Sequence, residues 1–314
     1  ASGDDLMNRV ATFGNYQSAL LDLMRAQTRA VDAQERVSTQ KNATDLTGFG
    51  RQSETLTALK GAQSRIQGFI DTAKAVSARL TTQDLAMSQV NDGISGLRAA
   101  VGNALATDSA GALMLELEGH FQAIRGGLTS RHHGAYLFSG AGTRTSPVTV
   151  ANLDELAAVP DVASVFVNDT LKTASRVAEG TTLETGFLAD DLGSEVFEIL
   201  RDIKQYHDGP EGPLTGKISE TQKAFLTAQL ARLEQAGNGV IDKMARTGSM
   251  ANQVENVTKS HEAQLASLDE LVSQRTDADM AVAITDLQLS QIAIQASAQV
   301  ISQLREVSLL NYLR

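Results

Sequence analysis

From Asn8 to Gln40 the chain reads NRVATFGNYQSALLDLMRAQTRAVDAQERVSTQ, a run of good helix formers without a proline. Through it passes a strict three-four repeat: Val10, Phe13, Gln17, Leu20, Met24, Gln27, Val31 and Gln34. A mean spacing of about 3.5 residues keeps one seam turned toward a partner helix. A second seam runs through Ile284, Leu287, Gln291, Ile294, Ala298 and Ile301, and the chain then closes in Ser308-Leu309-Leu310-Asn311-Tyr312-Leu313-Arg314. Glutamines at seam positions specify register at a cost in stability, so each arm needs something outside itself to pack against. All four prolines (Pro147, Pro160, Pro210, Pro213) fall between the two arms. Two adhesive arms around a compact middle describe a building block rather than a catalyst.

Composition narrows the class. The 314 residues include no cysteine and no tryptophan, and aromatics make up only 4%. That removes disulfide frameworks, thiolate metal sites and thiol nucleophiles, and it suits helices packed through Ala and Leu. The net charge of −10 is concentrated: residues 151–213 hold 4 basic and 13 acidic side chains, while residues 1–150 hold 14 and 13. An acidic middle with no basic stripe to offset it argues against nucleic acid as a partner. No run of apolar residues is long enough for a membrane span, and no membrane insertion is expected. The start lacks the cationic flank and apolar block of a secretory signal, and Met7 reads as the natural initiator behind a six-residue remnant.

The coarse reading is a mainly α chain, a long antiparallel helical rod with terminal coiled-coil arms and a small inserted β-rich module. Turn formers and glycines from Asn42 to Gly50 break the first helix, which resumes from Arg51 to about Leu105. A third helix is expected to about Arg131. The period then changes: Ala135 to Gly140, Val148 to Val150, Val162 to Val167 and Thr170 to Val177 read as short strands. A helix from about Gly193 to Tyr206 follows. The return helix begins at Ser219, with Gln222 completing a capping box, and Thr276 to Asp279 interrupts it before the last arm. The parts are a heptad arm at 1–41, an ascending half at 42–134, a β-rich module at 135–192, a return half at 193–275 and a second arm at 276–314. The acidic segment is expected to face solvent, and residues 151–190 to be removable without unfolding the helices. In a lone chain residues from about 1 to 40 and from 280 to 314 are expected to be largely disordered, because their seams lack a partner.

No catalytic constellation emerges, so no cofactor or metal is expected. The adjacent pair His132-His133 points in divergent directions and makes a poor bidentate ligand, and Gly140-Ala141-Gly142 lacks the third glycine and following helix of a dinucleotide site. Asp190-Asp191 lacks the alternating oxygen ligands of a calcium loop.

Three segments taken together resemble the flagellin-like axial proteins of bacterial flagella. Ser308-Leu309-Leu310-Asn311-Tyr312-Leu313 is similar to that family's Leu-rich ending. Asn8-Arg9-Val10-Ala11-Thr12-Phe13-Gly14-Asn15-Tyr16 and Gly134-Ala135-Tyr136-Leu137-Phe138-Ser139-Gly140 resemble its hook-associated branch at the hook–filament junction. The family's Ser-Ser-Gly-Lys-Arg and Asp-Asp-Pro elements are replaced here by Thr39-Gln40-Lys41-Asn42 and Asp45-Leu46-Thr47. The resemblance implies a non-enzymatic structural subunit, exported unfolded without a cleaved signal and located outside the cell. Its implied partners are copies of itself, neighbouring axial proteins (a second junction protein and flagellin), and an export chaperone on the C-terminal arm. The implied assembly seam is Val10, Phe13, Leu20, Met24, Val31, Ile284, Leu287, Ile294, Ile301, Leu309, Leu310 and Leu313. A filament flagellin or surface homologue is the alternative within the family. A chemoreceptor-like signalling coiled coil is the alternative outside it, although that fold turns at a compact hairpin tip.

Overall fold

A computed structural model describes the backbone of residues 3–312 and the side chains of residues 14–305. Its helices are α1 (Gly3–Thr39), α2 (Ser53–Thr107), α3 (Leu113–Leu128), α4 (Leu153–Ala158), α5 (Ala189–Asp208), α6 (Glu220–Thr276) and α7 (Met280–Tyr312). Four short strands, β1 (Arg131–His132), β2 (Ala135–Tyr136), β3 (Ala174–Ala178) and β4 (Thr181–Glu184), form two separate antiparallel hairpins. The fold is therefore mainly α with a small β component. The chain divides into two compact units, one built from residues 1–64 and 265–314, the other from residues 65–264.

Unit 65–264 is organised by two heptad seams that face each other. On α2 the buried positions include Ala73, Val76, Leu80, Gln83, Met87, Val90, Ile94, Leu97, Val101 and Ala104, alternating by three and four, with Ile70, Ala86 and Ala100 buried beside them. On α6 they include Gln222, Leu226, Gln229, Leu233, Ala236, Val240, Thr247 and Val254 at the same alternation. The helices run antiparallel: Phe69 stacks on His261 at 5.5 Å, Thr247 approaches the Met87 sulfur, and Arg98 pairs with Glu234 at 3.7 Å. Ser219 and Gln222 cap α6 reciprocally, the Gln222 amide donating to the Ser219 hydroxyl and the Ser219 amide to Gln222 Oε1. α3 lies against α2 closely enough that a Cβ at Gly127 would come within 2.7 Å of Val90 and 2.8 Å of the Ala86 carbonyl. Gly93 meets Ile124 in the same way. Phe121, Phe166 and Phe197 then join α3 and α5 through ring centroids 5.3 Å apart.

The inserted segment departs from its sequence reading in two respects. Strands form at Ala135–Tyr136 and Ala174–Ala178, but Val162–Val165 is a 3-10 turn, and Val148 makes only an isolated bridge to Phe166. The Asp161 side chain accepts from the Ala163 amide and starts that turn. A 3-10 turn also places Val162 and Val165, three apart, on one side, where both are buried. The second departure concerns removability. Leu153, Leu156, Val162, Val165 and Phe187 are buried in the same core as Phe121 and Phe197, so the segment completes the helical unit rather than decorating it. Its acidic side chains occupy the outer faces, several of them paired: Lys204 holds Asp154 at 2.8 Å and Asp208 at 2.9 Å. The β3–β4 hairpin buries Val177 beside Ala73, Val76, Leu80 and Val254, and His261 Nε2 lies 3.0 Å from the Val177 carbonyl.

Candidate assembly surface

In the unit formed by residues 1–64 and 265–314, α1 and α7 pack against each other. The arms therefore have a partner inside the chain, contrary to the sequence-based expectation. The α1 positions that lose solvent are Tyr16, Ala19, Leu23, Ala26, Ala30, Ala33 and Val37, a perfect three-four repeat, with Ala33 wholly buried. On α7 they include Ala283, Leu287, Ser290, Ile294, Ser297, Ile301 and Leu304. Alanine and serine at alternate layers let two helices approach closely. Arg36 seals the edge of the pair with an ion pair to Asp286 at 3.1 Å.

The two helix breaks are fastened to each other. Gln40 takes a left-handed conformation (φ 59°) at the position after the end of α1 where glycine or asparagine is usual. The Asn42 amide donates to the Thr276 carbonyl at 2.7 Å, and the Ala278 amide donates to the Gln40 carbonyl at 2.9 Å, so Lys41 and Asp277 form an antiparallel bridge. The Lys41 ammonium also bonds the Asp277 carboxylate, and the Ser273 hydroxyl donates to the same group. The Lys41 hydrogen bond, followed by the Ser273 one, lowers the Asp277 pKa from 3.8 to about 2. Asp279 then caps α7, accepting from the Ala281 and Val282 amides.

The seam read from sequence is split by this geometry. On α1, Leu20, Met24 and Val31 sit one residue after the inner stripe, about 100° round the helix. All three are exposed, Val31 at 63%. On α7, Leu287, Ile294 and Ile301 lie half-buried on the side that meets α1, whereas Ile284 is exposed on one flank of that side, Val282, Leu289 and Val300 on the other, and Ile292 on the opposite face. The side chains of Val10, Phe13, Leu309 and Leu310, and all of Leu313, lie outside the described residues. The sequence reading missed the inner α1 stripe because its small residues carry little hydropathy. The alternation of alanines at 19, 26, 30 and 33 was the signal that could have found it. Helix α1 thus carries two adjacent apolar stripes, one paired within the chain and one open, while the exposed apolar residues of α7 are spread around the helix. Among the described residues no group of three or more His, Asp or Glu could hold a metal ion, and no helix is long and apolar enough to cross a membrane.

Comparison with known proteins agrees with this architecture. Residues 230–313 match the bacterial flagellin C-terminal helical region. No curated protein matches the sequence. Among solved structures, the fold is similar to a protein from Vibrio parahaemolyticus assigned to the flagellar hook-associated proteins, with a TM-score of 0.60 and 17% identity over 73% of this chain and 100% of that one. It is also similar to FlgL of Bacillus cereus (TM-score 0.53, 16% identity, 69% of this chain and 98% of that one). FlgL of Xanthomonas campestris gives a TM-score of 0.55 at 14% identity, over 68% of this chain and 99% of that one. Residues 230–313 are therefore similar to the flagellin C-terminal helical region, and the fold of the chain is shared with flagellar hook-associated proteins.

Proposed function

We propose that this chain is a non-enzymatic structural subunit of the bacterial flagellum that self-assembles at the hook–filament junction, outside the cell. The observation that carries the reading is the second apolar stripe on α1, together with the exposed apolar residues of α7. Leu20, Met24 and Val31 on α1, with Ile284 and Ile292 on α7, remain open after the two helices have satisfied each other. Exposed apolar side chains aligned beside an already paired seam mark a protein-binding face. The rest of the seam, Val10, Phe13, Leu287, Ile294, Ile301, Leu309, Leu310 and Leu313, would act with it, the half-buried members by fixing α7 on α1. The five segments at 1–41, 42–134, 135–192, 193–275 and 276–314 then serve as arm, rising half, a module whose acidic face is outward and whose apolar face completes the core, returning half and arm. Partners are copies of the chain, the neighbouring axial proteins, and a chaperone that covers the C-terminal arm before export. The family match to flagellin favours one second reading, a filament subunit. Deleting the gene and viewing the cells by electron microscopy separates the two. Bare hooks with flagellin monomers accumulating in the medium support the junction role. Bare hooks with no flagellin in the medium support the filament role, and normal filaments overturn both.

A further inference from the structure

Unit 65–264 carries a cluster of three arginines and two histidines that its own acidic surface leaves unpaired. The β1–β2 hairpin turns through His133 (φ 51°) and Gly134 (φ 83°), the double left-handed conformation of a tight two-residue turn, so His133 stands at its tip. Arg131 lies over the Tyr136 ring at 4.2 Å and bonds its hydroxyl. His132 packs edge-on against His133 at 4.3 Å and meets the Thr82 hydroxyl at 2.9 Å. Arg79 reaches the Leu137 carbonyl beneath the hairpin, and Arg125 Nε is buried without a hydrogen-bond partner. None of these five side chains forms an ion pair among the described residues, although the chain has ten more carboxylates than basic groups. The surroundings are electropositive enough to register on their neighbours. Burial, then the His133 and Arg79 charges, lower the His132 pKa; the Arg131 hydrogen bond, then the Arg131 and Arg125 charges, lower that of Tyr136.

We propose that Arg79, Arg125, Arg131, His132 and His133 form a docking surface for the carboxylates of a second copy of this chain, supplied by its residues 151–213. Charge complementarity identifies the occupant: that segment holds 13 acidic against 4 basic side chains. Glu179, Glu184 and Glu195 in it are exposed and form neither an ion pair nor a side-chain hydrogen bond among the described residues. Opposed charges of this kind steer encounter and fix the register of neighbouring copies. The inference rests on the reading that copies assemble side by side.

The test is sedimentation velocity of the full chain over a concentration series, in about 0.1 M and about 1 M sodium chloride, where the screening length falls from about 10 Å to 3 Å. Association should weaken at high salt. Arg131→Glu with His133→Glu, both exposed, should weaken it about tenfold at low salt while leaving the melting curve unchanged. A chain carrying Glu179→Lys, Glu184→Lys and Glu195→Lys should show the same loss, and mixing the two variants should restore association. If both variants associate like the unaltered chain, the inference is overturned while the assembly reading stands. A cluster that binds inorganic sulfate in a chain that never self-associates overturns both.

Discussion

Lys41 and Asp277 join the two helix breaks of one unit: their backbones form an antiparallel bridge and their side chains an ion pair. Without that link each break would be an independent hinge; with it, α1 and α7 leave their neighbouring helices as a pair. Because Asp277 has a folded pKa of about 2 against 3.8 unfolded, its contribution is complete above the unfolded value and fades as pH falls through the folded one. Amide exchange in α7 should therefore accelerate between about pH 4 and pH 2 relative to exchange elsewhere. Asp277→Asn should remove that pH dependence and raise α7 exchange at neutral pH. An unchanged profile in the variant would show that the backbone bridge alone holds the breaks.

Helix α3 approaches α2 through glycines that differ sharply in what surrounds them. A methyl group at Gly127 would strike Val90 and the Ala86 carbonyl, whereas nothing lies within 4 Å of one at Gly119. Gly127→Ala should destabilise unit 65–264 by about 1–3 kcal/mol through overpacking. Gly119→Ala, an exposed helix interior site, should stabilise it by about 0.5–1 kcal/mol. Chemical denaturation of both variants checks the sign at each position.

The β3–β4 hairpin is held to the helices chiefly by Val177 and by His261 at its carbonyl. Val177→Ala removes two buried methyl groups and should cost about 1–3 kcal/mol. Exchange should rise first in residues 174–184 and around Val254, because the hairpin's other positions are partly exposed. Removal of residues 151–190 should unfold the unit outright, since it deletes Leu153, Leu156, Val162, Val165 and Phe187 from the core. A deletion variant that still melts cooperatively would contradict the single-core account.

The two stripes of α1 make opposite predictions for neighbouring residues. Val31→Glu on the open stripe should leave the helix content and melting of the lone chain within about 0.5 kcal/mol of the original while preventing polymerisation. Ala33→Leu on the inner stripe, where the side chain is wholly buried, should push α1 from α7 and cost about 1–3 kcal/mol. Circular dichroism and negative-stain microscopy of the two variants read both effects. Polymerisation that survives Val31→Glu would exclude this stripe as an interface.

Periodicity alone determined the class of this protein. The confinement of Pro147, Pro160, Pro210 and Pro213 to the middle, the breaks at Asn42 and Asp277, and the Ser219–Gln222 capping box are local facts, set by dihedral preference and by hydrogen bonds within one turn. Those stand in the structure within a few residues of where the chain announces them. Which stripe of α1 faces α7 was decided only by packing, because two seams one residue apart satisfy the same heptad, and the smaller side chains allow the closer approach. The stretch Val162 to Val167 likewise reads as a strand from its β-branched residues, yet the Asp161 cap and a shared core on one side of Val162 and Val165 fold it into a turn. The charge excess of residues 151–213 was legible as composition. That the same segment turns Leu153, Leu156 and Phe187 inward to complete a helical core was not, since burial depends on which distant helices arrive to cover it.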